Sequence, residues 1–217
     1  MLGRRYLWID MLCIIQDSKE DWQCEAALMG EVYRNGYCNL SAIAAEDGSV
    51  GIIFERQVAP TTVRAVVCTS EDREAKDVLL CDPRSWYAAI DRSPLLARGW
   101  VCQVRLSSLR NVHFGRGKIF WKCASLVACE DFPDGTPHWQ GRYHHKHYVK
   151  LTGAELLRTR SASNTAELSP DEPSHPLSLW FHVVEWYSTC HLTFDSDKLV
   201  AIGGMAAASH HIFSANT

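Results

Sequence analysis

The sequence predicts an α/β or α+β fold: a parallel or mixed sheet with flanking helices, an antiparallel hairpin, and helices toward the C-terminal end. The first observation behind this is YLWIDMLCIIQ, Tyr6 to Gln16, a continuous apolar run interrupted by one acid and followed at once by helical periodicity. The second is a pair of short apolar runs flanking Gly115-Arg116-Gly117. The third is the return of apolar residues at helical spacing in PLSLWFHVVEWYSTC, after a Ser- and Pro-rich stretch.

Tyr6 to Asp10 is expected to be a central strand, because an uninterrupted apolar run suits a strand buried on both faces. Helix signals begin at Ser18, a capping residue, with Asp21 placed to reach back. The expected helix runs from Ser18 to Asn35, and Trp22, Glu25, Ala26, Met29, Val32 and Tyr33 share one face of it. A carboxylate on such a face is costly unless it is paired or borders a pocket, which singles out Glu25. Strand, loop and helix in this order would put Asp10 and Glu25 near the carboxyl end of the strand, where open α/β sheets bind ligands.

A strand is expected at Val63 to Cys68, and TSEDREAKDVLL after it reads as an acidic helix or loop. Asn111 to Phe114 and Lys118 to Trp121 form the hairpin, expected as a separate antiparallel element. Residues 158 to 176 are poor in apolar side chains and read as an exposed loop or linker. They divide a core over 1–157 from a C-terminal helical part over 177–217 that packs on it. Helices are expected over PLSLWFHVVEWYSTC and DSDKLVAIGGMAAASHH, with Gly203-Gly204 as a close packing point.

A chain of 217 residues, 47% hydrophobic and with eight tryptophans, can bury a sizeable core. Its formal charge of -3 is spread along the chain, so no basic block argues for nucleic acid or an anionic membrane. No run reaches the roughly 18 to 20 apolar residues of a spanning helix. Asp10 interrupts the apolar part of the first segment, so no signal peptide is expected. Nine cysteines without a C-x-x-C pair read as reduced thiols of a cytoplasmic protein, with Cys13 a small buried hydrophobe. Neither a metal nor a cofactor is expected. The histidines of HWQGRYHHKH, His138 to His147, lack metal-ligand spacing and read as solvated.

The segment YLWIDMLCIIQDSKEDWQCEAALMGEVYRNGYCNLSA resembles the heterokaryon incompatibility (HET) domain of filamentous fungi. That family shows YxWIDxLCIxQ and then DWxxExxxMxxxYxxA. RGWVCQVRLSSLRNVHFGRGKIFWKC is similar to a later family stretch, RxWxxQExxLSxRxxxF, with its following xxWxC strand. WFHVVEWYSTCHLTFDSDKLVAIGGMA is similar to WxxxVxxYSxRxLTxxxDKLxAxxGxA. The resemblance implies a role in non-self recognition and cell death. It also implies a partial likeness to TIR domains, some of which cleave NAD with a Glu on a helix. On that reading Glu25 and Asp10 are the catalytic candidates, Trp22, Arg98 and Gln103 bind the ligand, and NAD is a substrate rather than a cofactor. A carboxylate near the ribose would stabilise an oxocarbenium-like centre.

The departures from the family pattern point elsewhere. No LSYxWG segment precedes Tyr6, Val104 follows Gln103 where the family has Glu, and Cys190 takes the place of an Arg. The expectation is an open sheet edge, covered by a homodimer or by a segment near 61–69. Two readings therefore stand side by side. One is a module acting through a protein partner or homodimer. The other is an enzyme with a small-molecule pocket near Asp10 and Glu25. The structural alternatives are Arg98, Gln103 and Arg110 as one network, Asp10 as a cap or a partner of Arg98, Glu25 as the partner of a buried Arg, and Trp100, Trp121 and Trp180 as core aromatics.

Overall fold

The structure is a computed structural model that describes residues 3–53, 55, 62–68, 75–81, 86–136 and 176–213. It is an α+β fold. The strands are β1 (Asn39–Ser41), β2 (Thr62–Cys68), β3 (Ala75–Cys81), β4 (Arg110–Phe114), β5 (Ile119–Cys123) and β6 (Val127–Cys129). The α-helices are α1 (Asp10–Cys13), α2 (Lys19–Asn35), α3 (Gly99–Ser107), α4 (Pro176–Ser188) and α5 (Lys198–Phe213). A π-turn (Tyr87–Asp91) and a 3-10 turn (Pro94–Ala97) lead into α3. Among the described residues no helix is long and apolar enough to cross a membrane.

α2 starts as its sequence dictates. The Ser18 side chain accepts a hydrogen bond from the Asp21 N–H at 3.2 Å. Asp21 does reach back, but to the Ile15 N–H, which donates to its carboxylate at 2.7 Å. That bond ties the turn after α1 to the first turn of α2 and satisfies an amide that has no ladder to join.

The four-stranded sheet has the order β1-β4-β5-β6. β1 runs parallel to β4, with Asn39 opposite Asn111 and Ser41 opposite His113; the other pairs are antiparallel. The Gly-linked hairpin forms where the sequence puts it, closed by Phe114 opposite Ile119. Gly115 is required there, since a Cβ at this position would meet the Lys118 carbonyl oxygen at 2.9 Å. The hairpin is not a separate element, however. β4 recruits β1 as a parallel neighbour, because its outer edge carries unpaired backbone groups that β1 satisfies.

Two further corrections concern strands. Tyr6 to Asp10 is not a central strand: residues 3–9 have no regular structure and Asp10 opens the one-turn helix α1. An apolar run has the propensity for a strand but becomes one only with a ladder partner, and none of the described strands lies against it. In TSEDREAKDVLL, the part from Ala75 onward is strand, not helix or loop. It pairs antiparallel with β2, from Thr62 opposite Cys81 to Cys68 opposite Ala75, and that ladder overrides the helical propensity of Ala and Lys.

The core has two centres. Ile43, Trp86, Ile90, Leu96, Phe120 and Cys129 pack between the sheet and the segment before α3. Cys102, Leu106, Val183 and Met205 join α3, α4 and α5. The deeply buried tryptophan is Trp86, whereas Trp100, Trp121 and Trp180 are only half-buried. Cys102 and Cys129 are buried thiols, but Cys13 is exposed because the segment that carries it is open.

Candidate functional site

The three motif blocks of the sequence meet in the helical layer. α2, α3 and α5 pack on one another, and Gln103 of α3 sits at their crossing, fully buried. With its amide oriented to suit both neighbours, Nε2 donates to the Ala201 carbonyl at 2.9 Å and Oε1 accepts from the Gly30 N–H at 2.8 Å. Glycine at 30 and 204 makes room for it: a Cβ would stand 3.0 Å from the Gln103 Oε1 so oriented at Gly30 and 2.7 Å from it at Gly204. Gly204 is thus the close packing point, while Gly203 faces open space.

One turn away, the rings of Trp22 and Trp100 meet edge to face at 6.2 Å. Trp100 Nε1 donates to Asp197 Oδ2 at 3.3 Å, just ahead of α5. Trp22, Trp100 and Asp197 come from the first, second and third blocks in turn. Each block thus supplies one wall of the same helical interface.

The structure brings Trp22 and Gln103 to this layer, with Glu25 on its flank, and leaves the other candidates apart. Glu25 is half-buried and makes no hydrogen bond or ion pair with any described residue. Arg98 is exposed, and its backbone forms a bridge to His191; its side chain pairs with neither Asp10 nor Glu25. Arg110 donates to the Tyr37 carbonyl at 3.3 Å, so Arg98, Gln103 and Arg110 form no common network. Asp10 is exposed, its Oδ1 accepting from the Met11 N–H at 2.8 Å. Burial, and secondarily the Asp10 carboxylate, push the Tyr33 hydroxyl up to about 12. The histidine-rich stretch His138 to His147 lies outside the described residues, as does most of the linker at 158–176.

Two features were not singled out by residue pattern. The first is a cleft of about 520 Å³ between the turns at 91–97, α3 and α4. Asp91 and Arg105 pair across its floor at 3.0 Å, and the Arg105 guanidinium lies 5.7 Å from the Trp186 ring centre. His182 and Glu185 stand at its rim, 3.6 Å apart. Cys190 also lines it, but burial pushes this thiol up and its sulfur donates to the carbonyls of Leu96 and Trp186. A thiol held protonated in this way is a poor nucleophile.

The second feature is the N-terminal segment. Tyr6, Leu7, Met11, Leu12 and Ile15 are between 58% and 87% exposed. The segment is held on α2 by Trp8, whose ring meets Tyr33 edge to face at 5.4 Å, and on the turn after α2 by Arg4, stacked 3.9 Å over Tyr37. Only burial could reveal this feature; the sequence presents the same residues as a core strand.

The α+β frame thus carries its motif residues in a helical layer, with an open apolar segment ahead of it. Residues 1–103 match the family model described as Heterokaryon incompatibility protein (HET). The match takes in the first motif block and ends at Gln103 in the second; the third block lies beyond it. No curated protein and no solved structure matched the chain.

Proposed function

We infer that the chain is a HET-type module of fungal non-self recognition and cell-death signalling that acts through protein contacts. The observation that carries this reading is the open apolar segment from Tyr6 to Ile15, which lies inside the family match. Contiguous apolar surface of this kind marks an interaction site. Each such side chain contributes about 1.5–3 kcal/mol when fully covered. Five of them are of the size needed to offset the roughly 4–15 kcal/mol that association costs.

Expression of the full chain in a filamentous fungus is expected to arrest growth. A Leu7→Asp/Leu12→Asp double variant is expected to lose that arrest while melting within about 0.5 kcal/mol of wild type, since both side chains are exposed. A folded double variant that still arrests growth, or a wild-type chain that never does, would overturn the reading.

One observation favours a second reading, NAD cleavage at Glu25: this half-buried carboxylate has no partner among the described residues and lies one helical turn from Trp22. The structural alternative required a pair with an arginine such as Arg98, and that pair is not formed. Glu25→Gln is therefore expected to change stability by less than about 0.5 kcal/mol. With Arg98 exposed and Gln103 fully engaged between helices, nicotinamide release from NAD is expected to stay at background for both proteins. Turnover by wild type that vanishes in a folded Gln variant would establish the enzymatic reading instead.

A further inference from the structure

The cleft between the turns at 91–97, α3 and α4 carries chemistry that the protein-contact reading leaves unused. At about 520 Å³ it falls within the range of small-molecule pockets, roughly 300–1,000 Å³. Its wall carries charges of both signs, Asp91 and Glu185 against Arg92 and Arg105. Leu96 and Trp186 add apolar surface.

Three consecutive residues of that wall are poorly satisfied. Arg105 holds the Asp91 carboxylate through Oδ1 alone, at 3.0 Å. Oδ2 accepts no hydrogen bond from any described residue, and it is not sealed from solvent. Arg92 is exposed and makes no hydrogen bond, ion pair or ring contact with any described residue. Ser93 is 6% exposed, and its Oγ has no partner. That hydroxyl does not even cap the 3-10 turn it precedes. Side chains as deep as Asp91 and Ser93 rarely keep polar atoms unengaged in a native structure, and both stand at the wall of one cleft.

We propose that this cleft binds a zwitterionic small molecule of the amino-acid class with an aromatic side chain. Its ammonium donates to Asp91 Oδ2, its carboxylate pairs with Arg92, and its ring lies against Leu96 and Trp186. Charge balance selects this class. A simple cation meets Arg92 and Arg105 as like charges, and a simple anion meets Asp91 and Glu185 in the same way. A dipolar ligand without net charge satisfies both signs at once. Arg105 is already engaged with Asp91, which leaves Arg92 for the ligand's carboxylate. Asp91 and Arg92 are neighbours in sequence, which suits an ammonium and a carboxylate carried on one carbon.

In proton–nitrogen correlation spectra of the full chain, L-phenylalanine at millimolar concentration is expected to shift the Trp186 indole N–H signal saturably. That signal is assigned by its loss in Trp186→Phe. Phenethylamine lacks the carboxylate and phenylpropionate lacks the ammonium. Each is expected to bind about tenfold more weakly or worse, since each leaves one charge of the wall unanswered. Arg92→Gln separates the two charges. It is expected to weaken L-phenylalanine by about tenfold and to leave phenethylamine bound no more weakly than before. Arg92 is exposed and engages no described residue, so this variant is expected to melt with wild type.

No saturable shift with L-phenylalanine, equal binding of all three compounds, or an Arg92→Gln chain that binds L-phenylalanine as wild type does would overturn the proposal. None of these outcomes bears on growth arrest, which tests the N-terminal surface separately.

Discussion

Asp91→Ala is expected to lower stability by about 3 kcal/mol, the lower end of the cost of removing one partner of a buried ion pair. Asp91 and Arg105 pair at 3.0 Å with side chains only 11% and 5% exposed. Without the carboxylate, the buried Arg105 guanidinium beside Trp186 loses its Asp91 counter-charge. The asymmetry of such pairs supplies a sharper test. Asp91→Ala/Arg105→Met, which removes both charges and keeps an apolar stem of similar length, is expected to cost less than Asp91→Ala alone. For a domain of this size about 3 kcal/mol is roughly 6–12 °C in melting temperature. Urea unfolding of wild type, both single variants and the double variant measures the coupling. Additive losses would show that Arg105 does not depend on Asp91.

The second large effect is acid sensitivity from His113. It is buried to 1% exposure on β4, and neither ring nitrogen has a partner. Its ring meets Trp86 edge to face at 6.3 Å, with the Phe120 ring also against Trp86. Burial first, then the charges of Arg105 and Lys122, push its pKa down to about 3. Folded, His113 is neutral; unfolded, it takes up a proton near 6.5.

The unfolded state therefore binds more protons between these values, and stability rises with pH across that window. The contribution is fully present above about 6.5 and is lost as pH falls toward 3, at about 1.4 kcal/mol per pH unit. Moving from pH 7 to pH 5 is expected to cost about 2 kcal/mol through this one group. His113→Leu removes the titration and two unpaired buried nitrogens, so it is expected to flatten the acid limb without loss at neutral pH. The difference between wild-type and variant melting curves isolates the term, since other carboxylates contribute equally to both. Parallel curves would mean that His113 gains a partner or solvent on acidification.

The motif blocks take on a physical meaning through this layer. Trp22, Trp100 and Asp197 form one cluster; Gly30, Gln103 and Gly204 form another. Both join α2, α3 and α5. A glutamine with no solvent exposure, bonded to the backbones of two helices, fixes their relative position more tightly than an apolar side chain of the same size, because each bond has a direction. The motif residues of this chain thus meet at one helix crossing. The open apolar surface is the segment ahead of it.

By itself the sequence determined the elements whose causes are local. Ser18 caps α2 because its hydroxyl lies within reach of the Asp21 amide whatever surrounds it. Gly115 turns the hairpin because only a residue without Cβ clears the Lys118 carbonyl. The helices over 176–188 and 198–213 follow from apolar spacing, and the HET likeness from the order of letters. Tertiary structure decided everything that needs a partner from far along the chain. Ala75–Cys81 became strand because Thr62–Cys68 lies beside it, and β4 gained a parallel neighbour in β1. Gln103 became a buried clasp because two glycines from distant helices face it, and Glu25 forms no ion pair with any described residue. Tyr6 to Ile9, as apolar as any core strand, lies open because a hydrogen-bond ladder takes two chains, and the described strands pair with one another instead.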